Sequence, residues 1–274
     1  MELLPLLKPP ASSDCAEERE KMTPANRKPP RLNLGDRAPL VLRRESVAAS
    51  NLPRPVRIAW ISDLHLWRRS SIRTVRNVLL AVHAAQPEVV VLGGDLVDRD
   101  PGLQLLERLV RGLGRVAPVY ALPGNHDEAF GVSRVAAAVR AAGGTWLESG
   151  ATVVANGTVS LVTGEFEGFR TIPPTVIVAC LHDPATAEAW DGRAHAILAG
   201  HLHGGQIMLA EARGRSWPCA LRYRWCGPRF RLPFGTELIV GRGAGDLVPV
   251  RWRCPREVLC VDLVPDSREP RANP

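Results

Sequence analysis

Short runs of apolar residues, each closed by a polar loop, recur along this chain. Val56–Ile61 leads into Ser62-Asp63-Leu64-His65, residues 89–92 into Gly93-Gly94-Asp95-Leu96-Val97-Asp98, and residues 117–122 into Pro123-Gly124-Asn125-His126-Asp127. Residues 175–180 lead into Leu181-His182-Asp183, and Ala196–Ala199 into Gly200-His201-Leu202-His203. Unbroken apolar runs of this length predict strands buried on both faces. Between them, Ile72, Val75, Val78, Leu79 and Val82 recur at helical spacing, as do Leu103, Leu106, Leu109 and Val110, and an alanine-rich third stripe covers 135–142. Strands alternating with helices imply parallel β-α-β units, whose functional loops gather at the carboxyl ends of the strands.

From Trp146 to Phe169 the pattern shifts to shorter β-like segments, 151–155 and 158–163, around Asn156-Gly157, a dipeptide that tolerates the positive φ of a hairpin turn. A second sheet is expected to begin here and to be closed by Glu237–Val240 and 258–263. A first strand is expected at 40–47. Residues 1–38, rich in Pro, Lys, Arg, Glu and Ser, read as a flexible tail, 39–265 as one domain and 266–274 as a second tail.

With 274 residues and 45% hydrophobic content the chain can bury one sizeable core, and it has no apolar run long enough to span a bilayer. The formal charge of +7 favours anionic partners. The six cysteines include no C-x-x-C pair and, with no export signal in view, are expected to be reduced thiols in a cytoplasmic compartment. A Cys219–Cys226 bridge or a thiolate metal site is the less expected alternative.

All the candidate ligands fall at strand ends. Asp63, His65, Asp95, Asn125, His182, His201 and His203 supply two carboxylates, one amide oxygen and four imidazoles, enough for two metal ions if Asp95 bridges them. Imidazole mixed with carboxylate suits Mn, Fe or Zn better than Mg or Ca. Two such ions about 3.5 to 4 Å apart can hold the attacking and leaving oxygens of an in-line displacement at phosphorus. His126, beside Asp127, is left to assist the leaving oxygen. His83 and His195 carry no chemistry in this reading.

The series Asp63-x-His65, Gly94-Asp95-x-x-Asp98, Gly124-Asn125-His126-Asp127, His182 and Gly200-His201-x-His203 resembles the motif set of the calcineurin-like metallophosphoesterases, in the same order. Gly204-Gly205-Gln206, Val240-Gly241-Arg242-Gly243-Ala244-Gly245 and Pro249-Val250-Arg251 are similar to a bacterial branch that includes membrane-associated phosphodiesterases and a UDP-diacylglucosamine pyrophosphatase. The resemblance spans residues 40 to 264. It implies an α/β fold (α+β) of two packed mixed β-sheets flanked by helices, a four-layer αββα sandwich with the site at one end. It also implies one metal on Asp63, His65, Asp95 and His203, and another on Asp95, Asn125, His182 and His201. His126 would act on the leaving group, held by Asp127, with Asp98 as an outer support. Trp67 departs from the pattern, standing where many relatives have glycine.

The expected activity is hydrolysis of a phosphodiester or pyrophosphate, including lipid-linked esters such as UDP-diacylglucosamine. A nuclease or nucleotidase with the same metals, or a non-catalytic scaffold, is the alternative. Residues 213–234 interleave six arginines with Trp217, Tyr223, Trp225, Phe230 and Phe234, a mixture that suits an anionic membrane surface. Stacking on single-stranded nucleic acid, or a basic hairpin whose aromatics pack on the second sheet, would use the same residues. No specific nucleic acid partner is expected. The expected location is cytoplasmic, peripheral to the inner membrane.

Overall fold

A computed structural model describes residues 32–34, 40–67, 71–164 and 175–266. In chain order these form β1 (Leu32–Leu34), β2 (Val41–Ala49), β3 (Val56–Ile61), α1 (Ser71–Ala85), β4 (Val89–Gly93), α2 (Pro101–Leu113), β5 (Val119–Leu122), α3 (Asn125–Phe130), α4 (Val132–Ala141) and β6 (Thr145–Trp146). There follow β7 (Gly150–Val154), β8 (Val159–Thr163), β9 (Val176–Cys180), β10 (Ala196–Ala199), β11 (Ala210–Ala212), β12 (Arg215–Trp217), β13 (Arg229–Arg231), β14 (Glu237–Val240), β15 (Val250–Trp252) and β16 (Glu257–Pro265).

Two six-stranded sheets stack face to face, one ordered β2-β16-β3-β4-β5-β6 and the other β13-β14-β10-β9-β8-β7. The period of two along each strand divides its side chains between layers. On β3, Ile58 and Trp60 enter the core between the sheets, whereas Ala59 and Ile61 meet the helices. On β4, Val89 and Val91 divide from Val90 and Leu92 in the same way. Helices α1, α2 and α4 bury Val75, Val78, Val82, Leu106, Leu109, Val135 and Val139 against the outer face of the first sheet. A third cluster covers the second sheet's outer face, drawing Ala187 and Trp190 from a 3₁₀ helix (Pro184–Trp190). The two mixed sheets flanked by helices are therefore present.

The hairpin β7–β8 forms around Ala155, Asn156 and Gly157, all at positive φ. Residues 258–263 were expected to close the second sheet. Instead β16 lies inside the first, parallel to β2 and antiparallel to β3, because its alternate residues Leu259, Val261 and Leu263 complete the intersheet core beside Ile58 and Trp60. Leu32–Leu34, within the segment read as a tail, form a strand antiparallel to β15. The remainder of residues 1–38 and almost all of 266–274 lie outside the described residues.

Cys180, Cys254 and Cys260 are buried free thiols. The expectation of reduced cysteines is corrected for Cys219 and Cys226, which form a disulfide; the turn between them brings their Cα atoms to 6.0 Å, within bridging range. Cys15 lies outside the described residues. The argument for a cytoplasmic location from reduced thiols is correspondingly lost. No helix among the described residues is long and apolar enough to cross a membrane.

Candidate metal centre

Strands β3, β4 and β5 of one sheet and β9 and β10 of the other end on the same side, and the five polar loops meet there. The loops turn sharply. Asp63, His65, Asp95, His201 and His203 all adopt positive φ, five of the twelve non-glycine residues that do so among the described residues. Each such residue costs about 1 to 3 kcal/mol and persists where the surroundings fix it. Gly200 is required at this junction, since a Cβ there would lie 2.5 Å from Ser62 Oγ and 2.8 Å from Asp63 Oδ2.

Two groups of donors result. In one, Asp63, His65 and His203 converge: His65 Nε2 lies 3.1 Å from His203 Nε2, and His203 Nε2 lies 3.5 Å from Asp63 Oδ1. In the other, Asp95, His182 and His201 converge: His182 Nε2 lies 3.2 Å from Asp95 Oδ2 and 3.3 Å from His201 Nδ1. Asn125 Oδ1 joins this second group, 3.2 Å from His182 Nε2. Asp95 Oδ2 also lies 3.8 Å from His65 Nε2, so its carboxylate stands between the two groups.

Hydrogen bonds behind the rings aim them inward. His65 Nδ1 faces Asp98 Oδ1 at 2.9 Å and His182 Nδ1 faces the Gly93 carbonyl at 2.9 Å. Both partners are acceptors, so each Nδ1 carries the proton and each Nε2 presents a lone pair to the centre. The second group then sets the lone pairs of His182, Asn125 and Asp95 against one another. Such a concentration of acceptors needs a cation, either a proton or a metal.

The titration of the groups says the same. Burial would lower the His182 pKa, but the Asp95 hydrogen bond and the Asp63 and Asp95 charges raise it to about 9. Burial would raise the Asp95 pKa, and His182 brings it down to about 2. Burial, assisted by the Arg251 guanidinium, lowers the His203 pKa to about 4, leaving its ring neutral. The donor set matches a divalent metal centre of mixed imidazole and carboxylate ligation.

His126 sits at the rim, partly exposed. It was expected to be held by Asp127, and here the geometry gives a correction: His126 Nδ1 faces Asp98 Oδ1 at 3.1 Å. Asp127 is buried, and its carboxylate accepts from the amides of Leu96, Val97 and Gly124 at 3.0 to 3.1 Å. Three amide donors are what a buried carboxylate at the start of α3 needs to stay solvated, although burial still pushes its pKa up to about 6. Asp127 thus ties the second loop to the third. Asp98 meets His65 and His126 with the same oxygen.

Sequence reasoning gave no role to Arg251. It is wholly buried and donates to Asp246 Oδ1 (2.6 Å), the Arg242 and Gly245 carbonyls (both 2.7 Å) and the His203 carbonyl (3.3 Å), with Nη2 3.3 Å from His203 Nδ1. It fastens the glycine-rich turn to the last ligand loop. The Pro249-Val250-Arg251 tripeptide was the available signal, but an arginine three residues before Cys254 does not reveal its burial. Glycines 243 and 245 are explained by contact with the first loop: a Cβ on Gly245 would lie 2.1 Å from the Leu64 carbonyl, and one on Gly243 2.8 Å from Asp63 Cβ. Arg242, in the same turn, has its amide on Glu257 Oε1 at 3.0 Å and its guanidinium 3.9 Å from Glu257 Oε2. Arg99 stacks over the Trp67 ring at 5.2 Å. His195 accepts from the Ile177 amide, and His83 lies on α1 away from the centre.

Residues 56–205, which include all five loops, match the calcineurin-like phosphoesterase family, and the chain belongs to it. Metal-dependent hydrolysis of phosphate esters is the chemistry of that class. The metallophosphoesterase YkuE of Bacillus subtilis is 26% identical over 248 residues, covering 76% of this chain and 78% of that protein. The metallophosphoesterase Cj0846 of Campylobacter jejuni is 23% identical over 241 residues, covering 79% of this chain and 61% of that protein. Among solved structures, an archaeal phosphodiesterase aligns over 69% of this chain and 84% of its own at 11% identity with a TM-score of 0.40. A purple acid phosphatase from yellow lupin aligns over 75% and 47% at 9% identity with a TM-score of 0.43. The family assignment rests on the sequence match.

Proposed function

We propose that this chain hydrolyses a phosphodiester or pyrophosphate, with a lipid-linked ester as the substrate class, at a centre of two Mn, Fe or Zn ions. The observation that carries the two-ion reading is the Asp95 carboxylate oxygen between His182 Nε2 at 3.2 Å and His65 Nε2 at 3.8 Å. Asp63, His65 and His203 would hold one ion and Asn125, His182 and His201 the other, with Asp95 shared. When bound, such a pair lowers the pKa of coordinated water toward about 7 and neutralises charge developing at phosphorus.

The chain's own groups do the rest. Asp98 accepts from His126 Nδ1–H and leaves Nε2 as the free nitrogen; in the imidazolium form its Nε2–H donates the proton to the departing oxygen. Because the same Asp98 oxygen meets His65, the orientation of the proton donor is coupled to that of a ligand. Replacing Asp95 or Asn125 by alanine is expected to abolish metal uptake and turnover together. Replacing His126 by alanine is expected to leave metal content intact and lower kcat by about 10²- to 10⁴-fold. Parent-rate hydrolysis of bis-p-nitrophenyl phosphate by the His126→Ala protein would refute the proton-donor role. A panel of monoesters, diesters, nucleotides and nucleotide-sugar lipids assayed with Mn separates the diester and pyrophosphate reading from a nucleotidase.

A further inference from the structure

Segment 213–234, singled out in the sequence for its basic and aromatic residues, is largely taken up by internal contacts. Arg229 pairs with Glu45 and Glu237, Arg224 with Glu188, and Arg215 with the Ala220 and Tyr223 carbonyls. Trp225 and Phe230 pack edge to face on the outer core of the second sheet. An exposed apolar surface begins beside it and continues onto its Cys219–Cys226 loop.

Strand β1 pairs with β15 so that Leu32 faces Trp252 and Leu34 faces Val250, and Ile207 bridges Trp252 from the other side. Directly paired residues share a face. The ladder therefore turns Arg251 inward to the His203 loop and turns a row of apolar side chains outward. Leu34 is 58% exposed and, two residues along from Ile207, Leu209 is 61% exposed. The disulfide loop adjoins this row. Leu209 donates its amide to the Trp217 carbonyl, and a Cβ on Gly205 would meet Cys219 Cβ at 2.6 Å. At the tip of that loop Leu221 is 76% exposed, followed by Arg222 and Tyr223. Between Gln206 and Arg224 the arginines not spent on the contacts above are Arg213 and Arg222, against one acidic residue, Glu211.

We propose that the outer face of the β1–β15 ladder and the Cys219–Cys226 loop together form a docking surface for an anionic lipid bilayer. A row of exposed aliphatic side chains bordered by Arg213 and Arg222 matches the acyl boundary and the headgroup phosphates at once. An acidic or uncharged partner surface would use one of these features and leave the other without a counterpart. The row runs directly from Gln206 and Ile207, next to the His203 ligand loop, so docking sets the metal centre beside the headgroups. This deepens the lipid-linked reading of the substrate and rests on it only for the consequence of docking.

The test is co-sedimentation of the full chain, treated with chelator and without substrate, with phosphatidylcholine vesicles containing about 30% phosphatidylglycerol. Binding is expected, falling by about tenfold or more in a Leu34→Ser, Leu209→Ser, Leu221→Ser variant, since each removes several buried methylene equivalents. Arg222→Glu is expected to weaken binding to the anionic vesicles, and turnover of a soluble diester is expected to stay at the parent level in all these variants. Parent protein that remains in the supernatant overturns the proposal, as does undiminished binding by the triple serine variant. A concentration-dependent dimer without vesicles, lost in the same variant, would assign the surface to a second copy of the chain and equally overturn it. Since neither metal nor turnover enters the binding measurement, its failure leaves the hydrolase reading standing.

Discussion

Removing the Arg251 guanidinium tests how the last ligand loop is held. In Arg251→Met the buried stem is kept and the charge is lost, leaving Asp246, also buried, without the donor at 2.6 Å and the Arg242 and Gly245 carbonyls without donors at 2.7 Å. Breaking a buried ion pair from one side costs about 3 to 5 kcal/mol. Arg256 Nε stands 3.9 Å from the other Asp246 oxygen and retains part of the pairing, so the lower end of about 3 kcal/mol applies. For a chain of this size that lowers Tm by about 6 to 12 °C in a thermal melt. The double variant Arg251→Met with Asp246→Asn should recover part of the loss, because the uncompensated carboxylate is gone. Mn affinity, measured by titration calorimetry, should fall in the single variant as the His203 loop loosens. A single variant melting within 2 °C of the parent, give or take about a degree, with parental Mn affinity, would show that these contacts hold nothing in place.

Asp98→Asn should weaken metal binding by about 10- to 100-fold and also lower kcat, because one oxygen orients both His65 and His126; metal content by plasma emission alongside steady-state kinetics separates the two effects. In metal-stripped protein, His182, raised to about 9 from 6.5, contributes stability present below pH 6.5 and lost as pH rises through about 9. His203, lowered to about 4, does the opposite, its contribution being lost as pH falls from 6.5 toward 4. The stability difference between the parent and His182→Gln, read by denaturant titration, should therefore shrink between pH 6.5 and 9, and Mn binding should tighten over the same interval as the His182 proton is displaced. Gly245→Ala should destabilise by about 2 kcal/mol or more, since its Cβ would meet the Leu64 carbonyl at 2.1 Å and displace the Asp63 loop; a parental melt would refute that contact.

The strand-and-loop rhythm was legible in the sequence because burial on both faces forces unbroken apolar runs, and the ligand types stand at their ends. Local patterning thus determined β3, β4, β5, β9 and β10, three helices and the seven candidate ligands. Tertiary structure decided which sheet each strand joins, since Val258 and its neighbours are as apolar as a strand of either sheet, and only packing against Ile58 and Trp60 places β16 between β2 and β3. It likewise decided that Asp98 rather than the adjacent Asp127 orients His126. Neighbours in a helix's first turn project in different directions, whereas a residue on another loop can face the ring squarely. The burial of Arg251 depends on the meeting of the glycine-rich turn with the His203 loop, which the order of residues does not encode locally, and the Cys219–Cys226 bond depends on the path of the turn between the two cysteines.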